Sequence, residues 1–129
     1  MKTCATKVEE SYVLIGEYAD GIWHARLNWR STGTAVDVDF DWHKVMTREE
    51  RSGDVVGFYH THPLGMLTPS GRDDKTMLAW STCFGKPLLC VISDGKEFGA
   101  WIYDYKKERR TSVAKVVKFR DNWIVAEDK

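Results

Sequence analysis

Two rhythms of apolar residues divide this chain. Residues 8 to 18 are rich in β-branched and aromatic side chains around Tyr12, Val13, Leu14 and Ile15, which predicts a buried strand. Ala19-Asp20-Gly21 follows, and an Asp-Gly pair favours a tight hairpin. Ile22 to Trp29 then reads as the return strand, with Ile22, Leu27 and Trp29 apolar. Arg30 to Thr34 is expected to be a loop. Ala35 to Phe40 alternates cleanly, with Val36, Val38 and Phe40 inward and Asp37, Asp39 and Asp41 as an acidic stripe on the other face. From Asp41 to Arg51 the letters change to helix formers, with Trp42, Val45 and Met46 at three-to-four spacing. Asp41 is one N-cap; Thr47-x-x-Glu50, a capping-box pattern, is a rival start.

Ser52-Gly53-Asp54 closes that helix and leads into a strand from Val55 to His62. Leu64 to Pro69 reads as a loop. Ser70 opens a helix to about Phe84, with Met77, Leu78, Trp80, Cys83 and Phe84 as its buried side. After Gly85-Lys86-Pro87, the fully apolar Leu88 to Ile92 suits a strand at a sheet centre. Ser93 to Lys96 is a hairpin turn, and Phe98 to Tyr103 returns from it. Lys106 to Arg110 reads as a solvated charged loop. Thr111 to Glu127 carries Val113, Val116, Val117, Phe119, Trp123, Ile124 and Val125, and strand is slightly preferred over helix. The whole predicts a mixed α/β (α+β) chain and a single domain over residues 1–129, without repeats or linkers.

Composition narrows the function classes. The net charge is zero, so no global field favours nucleic acid or an acidic membrane surface. No run approaches the ~18 apolar residues of a membrane span, and Met1 to Lys7 has no apolar core of a signal peptide; a cytoplasmic location is expected. Three cysteines, Cys4, Cys83 and Cys90, are an odd number without CxxC pairing, which argues against a disulfide framework. Cys83 and Cys90 read as small buried hydrophobes. The six tryptophans read as core and rim packing, with one or two available as a substrate platform. Asp37, Asp39 and Asp41 lack the glycine and terminal glutamate of a calcium loop and read as a solvated face. His24 and His43 read as ordinary surface histidines.

The chemistry concentrates in Gly57-Phe58-Tyr59-His60-Thr61-His62-Pro63 and in Ser70-Gly71-Arg72-Asp73. Side chains two apart share a side of a strand and not of a helix. If Val55 to His62 is a strand, His60 and His62 project together, and Asp73 can return from the next element as a third ligand. Two imidazoles and one carboxylate make a three-ligand zinc site with one position left for water. By chance, HxH-x7-SxxD arises on the order of once in two thousand chains of this composition. That rarity favours a metal reading over the bland one, in which Ser70 and Asp73 are only a helix-capping pair.

His60-Thr61-His62-Pro63 together with Ser70-Gly71-Arg72-Asp73 resembles the signature of the JAMM (MPN-type) zinc metalloproteases. That family also has a glutamate seven residues before the glycine of a strand reading apolar-x-apolar-x-Gly. Here Glu9-Glu10-Ser11-Tyr12-Val13-Leu14-Ile15-Gly16 is similar to that strand, and the spacing selects Glu9. Tyr12 stands where the family usually has a small residue, so a slip of one, to Glu10, stays open.

The resemblance spans roughly residues 7 to 104. It implies a mixed curved sheet flanked by helices, of the MPN/cytidine-deaminase-like type, with zinc (Zn2+) on His60, His62 and Asp73. Glu9 would be the general base and then acid, and Ser70 a donor to the oxyanion. The implied reaction is hydrolysis of the amide bond after the C-terminal tail of ubiquitin or a ubiquitin-like protein, the tail adding to a sheet edge. With a short hairpin at Ser93 to Lys96, the chain resembles the minimal prokaryotic members of the family, which implies E1-like and E2-like enzymes as partners beside the conjugates themselves. A non-catalytic MPN scaffold and a small-substrate zinc amidase are the other readings. The DNA-repair-associated branch, with His-Asn-His-Pro-Ser-Gly, matches His60 to Gly65 only in part.

Overall fold

The computed structural model describes residues 8–34, 42–62, 65–107 and 109–128, with the side chains of residues 8, 9, 29–34, 42 and 109–113 outside the description. Seven strands run in the order β1 (Val8–Ala19), β2 (Ile22–Thr34), β3 (Val55–Thr61), β4 (Leu88–Ser93), β5 (Phe98–Asp104), β6 (Arg109–Arg120) and β7 (Trp123–Asp128). Helix α1 (Trp42–Ser52) precedes β3, and helix α2 (Gly71–Phe84) connects β3 to β4. The expected mixed sheet is present, and it closes on itself: the strand order β1-β2-β7-β6-β5-β4-β3 returns to β1 as a barrel. Every pair is antiparallel except β3 and β4, which are parallel because α2 carries the chain back to the starting end.

Alternation along the strands builds two apolar layers. All seven strands contribute to the barrel interior, where Leu14, Trp23, Tyr59, Leu89, Val91 and Ile124 meet. Ala25, Ala100, Ala114 and Ala126 supply small side chains there, as the narrow interior of a small barrel requires. On the outer face, Val13, Ile15, Val55, Phe58, Cys90 and Ile92 pack against Val45 of α1 and Met77 of α2. Because the same strands serve both layers, β4 is buried at every position, as the unbroken apolar run predicts. Val56 is an extra residue in β3 opposite the step from Leu14 to Ile15; this bulge lets Val55 face the helices and Val56 the barrel.

Two turns fix hairpins. Asp20 and Gly21 have φ of 54° and 77°, the paired positive values of a tight turn matched to strand twist. Asp121 and Asn122, at 55° and 66°, do the same between β6 and β7. The stretch from Thr111 to Glu127 is therefore two strands, since Asp and Asn tolerate the left-handed region locally. Two loop expectations are corrected. Arg30 to Thr34 continues β2, paired with β1 through Val8↔Thr34. Arg109 and Arg110 open β6, paired with Asp104 and Tyr103. In both, backbone pairing with a neighbour outweighs a polar local sequence. The helix expected from Asp41 begins at Trp42, so Thr47 is interior to it. The strand expected at Ala35 to Phe40, the acidic stripe, Asp41 as N-cap and Cys4 lie outside the described residues. Cys90 is buried as expected, but Cys83 is exposed on α2; Ser81 takes the buried position there, its hydroxyl bonded to the Lys86 carbonyl at 2.7 Å. No helix among the described residues is long and apolar enough to cross a membrane.

Two predictions follow from this packing. A Cβ on Gly57 would overlap the Leu89 backbone carbonyl across the parallel pair, so Gly57→Ala is expected to cost about 1–3 kcal/mol or more in urea unfolding. The Tyr18 hydroxyl donates to Asp128 Oδ2 at 2.7 Å, and this bond, with burial and the Asp128 charge, pushes its pKa up to about 12. A raised pKa means the folded form holds the proton, so this contribution is complete below pH ~10 and fades as pH rises towards 12. The stability difference between wild type and Tyr18→Phe should shrink across that window in urea titrations at pH 8 and pH 11.

Candidate metal centre

The site forms where β3 ends and α2 begins. His60 is the penultimate residue of β3. The chain stays extended one step further, since the His62 backbone N–H donates to the Ser93 carbonyl at 2.8 Å and prolongs the pairing with β4. Phe58, His60 and His62 therefore share a side, and Phe58 is buried against the helix layer. The imidazoles converge: the two Nε2 atoms are 3.0 Å apart, and the rings lie 4.7 Å between centroids at 52°. Ser11, almost fully buried, sits opposite His60 in β1 and offers a small side chain at that pair.

Asp73 arrives from the first turn of α2, and local helix chemistry aims it. Ser70 is the N-cap, with extended backbone. Its Oγ accepts the Asp73 N–H at 3.0 Å, and Asp73 Oδ2 accepts the Ser70 N–H at 2.8 Å, a reciprocal capping box. The same Oδ2 stands 3.5 Å from both His60 Nε2 and His62 Nε2. Ser70-x-x-Asp73 is thus a helix cap, and the same arrangement places Asp73 beside both imidazoles. Burial works to raise the Asp73 carboxyl, but the His60 and His62 side chains beside it and the Ser70 backbone N–H outweigh that and hold the group well below the usual carboxylate range.

The donor set fits zinc. Ligand atoms about 2.0–2.2 Å from a tetrahedral ion lie ~3.3 Å from one another, and the three separations here are 3.0, 3.5 and 3.5 Å. The three side chains are only 10–22% exposed, so the cluster is a recess rather than a loose surface grouping. Among the described residues this is the group of histidine, cysteine and carboxylate side chains placed to hold a metal ion. His24 is exposed on β2 and His43 on α1, apart from it.

The side chain of Glu9 lies outside the described residues. Its backbone belongs to β1, paired with Gly33. It lies two residues before Ser11, the partner of His60, so position 9 shares the face of β1 occupied by position 11. Glu10 sits on the alternate face, where its Oε1 accepts from the Tyr12 hydroxyl at 3.3 Å, and Tyr12 packs on the barrel interior.

Other groups brace the site, and sequence reasoning did not single them out. His62 Nδ1 lies 3.1 Å from the Met66 carbonyl; as an N–H···O bond this leaves Nε2 as the ligand nitrogen. Asp94 Oδ2 accepts the Gly65 N–H at 2.9 Å, and the Trp101 indole N–H donates to the Leu67 carbonyl at 3.2 Å. In the sequence, Asp94 shows only as a turn residue and Trp101 only as packing. A half-buried tryptophan does need an acceptor for its N–H, but the pattern does not say which.

A family model described as prokaryotic homologs of the JAB domain matches residues 2–118. No curated protein matches the chain.

Asp73→Asn keeps an oxygen for the cap but loses the anionic ligand. Its metal-free form should unfold within about 1 kcal/mol of wild type. Its zinc affinity, read by competition with a chromophoric chelator, should fall at least tenfold.

Proposed function

We propose that this chain, which belongs to the family of prokaryotic homologs of the JAB domain, is a zinc-dependent isopeptidase or peptidase. Its substrate is the amide bond after the C-terminal tail of ubiquitin or a ubiquitin-like protein. The observation that carries the reading is the convergence of His60 Nε2, His62 Nε2 and Asp73 Oδ2 within 4.8 Å of one another. Zinc held by these three residues would supply an acidified water and a Lewis acid for the scissile carbonyl.

The chain's own residues supply the rest. Glu9 takes a proton from the attacking water on its carboxylate and returns it to the leaving amine nitrogen. Its position on the Ser11 face of β1 supports this choice over Glu10, which bonds to Tyr12 on the other face. The Ser70 hydroxyl uses a lone pair to accept the Asp73 N–H, and its single proton is the donor offered to the oxyanion. The family resemblance supports the substrate class, a flexible tail being able to reach a recessed site as an extended strand. E1-like and E2-like enzymes that make such conjugates are the proposed partners, in the cytoplasm.

The closed barrel limits where that tail can pair. Each strand has two neighbours along part of its length, so pairing is left to strand ends. Among the described residues, β2 pairs with β7 only over Ile22–Arg26 and with β1 as far as Thr34.

Purified protein is expected to hold one zinc per chain and to cleave tailed ubiquitin-like fusions in preference to short peptides. Glu9→Gln should lose about 10²–10⁴ in kcat with zinc retained, whereas Glu10→Gln stays active; full activity in Glu9→Gln rejects the assignment. Stoichiometric zinc without cleavage of either substrate class would mark a scaffold, and cleavage of peptides alone a small-substrate amidase.

A further inference from the structure

We propose that the β4–β5 hairpin is a positioning device for the metal centre, with Asp94, Gly99 and Trp101 fixing the loop at residues 65–67 that orients His62. The inference rests on the metal reading above and concerns residues that do not touch the ion.

Two hydrogen bonds tie the loop to the hairpin, and a glycine leaves room for it. Asp94 ties its start, with Oδ2 accepting the Gly65 N–H at 2.9 Å. The other oxygen, Oδ1, accepts the Lys96 and Glu97 N–H groups at 2.9 and 2.8 Å. One carboxylate thus shapes the hairpin and hooks the loop onto it. The Trp101 indole, anchored by packing in the helix-side layer, donates to the Leu67 carbonyl at 3.2 Å. Gly99 permits the approach: a Cβ there would lie 2.7 Å from the Leu67 carbonyl oxygen and 3.2 Å from its Cβ. Between the two tied residues stands Met66, whose carbonyl lies 3.1 Å from His62 Nδ1.

The chain of cause runs through that carbonyl. Met66 itself is more than half exposed, and both of its chain neighbours are bonded to the hairpin, Gly65 through its N–H and Leu67 through its carbonyl. Fixing the carbonyl fixes which imidazole nitrogen carries hydrogen and how the ring is turned. The same hairpin supplies Ser93, whose carbonyl takes the His62 N–H at 2.8 Å. Backbone and ring of His62 are therefore both referenced to one element some thirty residues downstream. This assigns Trp101 as a support for the loop rather than a platform for substrate.

The test measures zinc affinity by chelator competition and the visible spectrum of the cobalt-substituted full chain. Trp101→Phe keeps an aromatic ring but loses the N–H. Gly99→Ala removes no bond and pushes on Leu67. Asp94→Asn leaves one oxygen where two were used. Each should weaken zinc binding about 10–100-fold and alter the cobalt spectrum, while Tyr18→Phe, outside the loop, changes neither. Wild-type affinity and spectrum in two folded variants of the three would overturn the proposal. Those results with conjugate cleavage intact would leave the isopeptidase reading standing. Weakened zinc in the variants of a protein that cleaves nothing would uphold the positioning role alone. Refusal of zinc by wild type would remove both.

Discussion

One carboxylate oxygen, Oδ2 of Asp73, joins the two halves of this site. It accepts the Ser70 N–H that starts α2 and faces both imidazoles at the end of β3. Helix capping contributes about 1 kcal/mol, and here the same bond turns the Asp73 carboxylate towards the two imidazoles. The arrangement depends on a parallel connection. Because β3 and β4 run the same way, the chain must cross over through a helix, and the crossover delivers the start of α2 next to the end of β3. Tyr103 reinforces the placement: its hydroxyl, on a fully buried ring, donates to Asp74 at 2.6 Å. The residue beside the ligand is thus pinned to β5.

The barrel makes this precision possible. Its interior and its helix-covered outer face are both apolar and buried, so β3 is packed on two sides from Val55 to Tyr59. Burial at ~25 cal/mol per Å² acts on Val13, Leu14, Phe58 and Tyr59 along the strands that carry the histidines and their neighbour Ser11. A metal site needs ligands held to a fraction of an ångström. The two apolar layers supply that rigidity before any ion contributes.

Much of this was legible in the residues. The two-residue spacing of His60 and His62 states a strand, and Ser70-x-x-Asp73 states a helix start, so their nearness follows once the two elements adjoin. The Asp20-Gly21 hairpin and the apolar β4 were equally plain. What the letters hide is pairing between distant segments. Closure of the barrel depends on β1 meeting β3 and β2 meeting β7, contacts without a local signature. Arg30 to Thr34 and Arg109-Arg110 look like loops because their partners lie elsewhere in the chain. Asp121-Asn122 lacks the glycine that announces a turn, and Cys83 loses its expected burial to Ser81. Which of positions 9 and 10 shares the face of Ser11 depends on a register that the strand pairing of Ser11 with His60 supplies.

The double employment of Ser70 and Asp73 bears on how the motif should be read in other chains of this shape. A well-started helix alone calls for a serine and an acid three apart, with or without a metal beside them. The paired histidines take no part in that cap: their Nε2 atoms stand 3.0 Å from each other and 3.5 Å from Asp73. The pair of histidines, rather than the serine and the acid, is therefore what separates a metal-capable chain of this shape from one that keeps only the helix start.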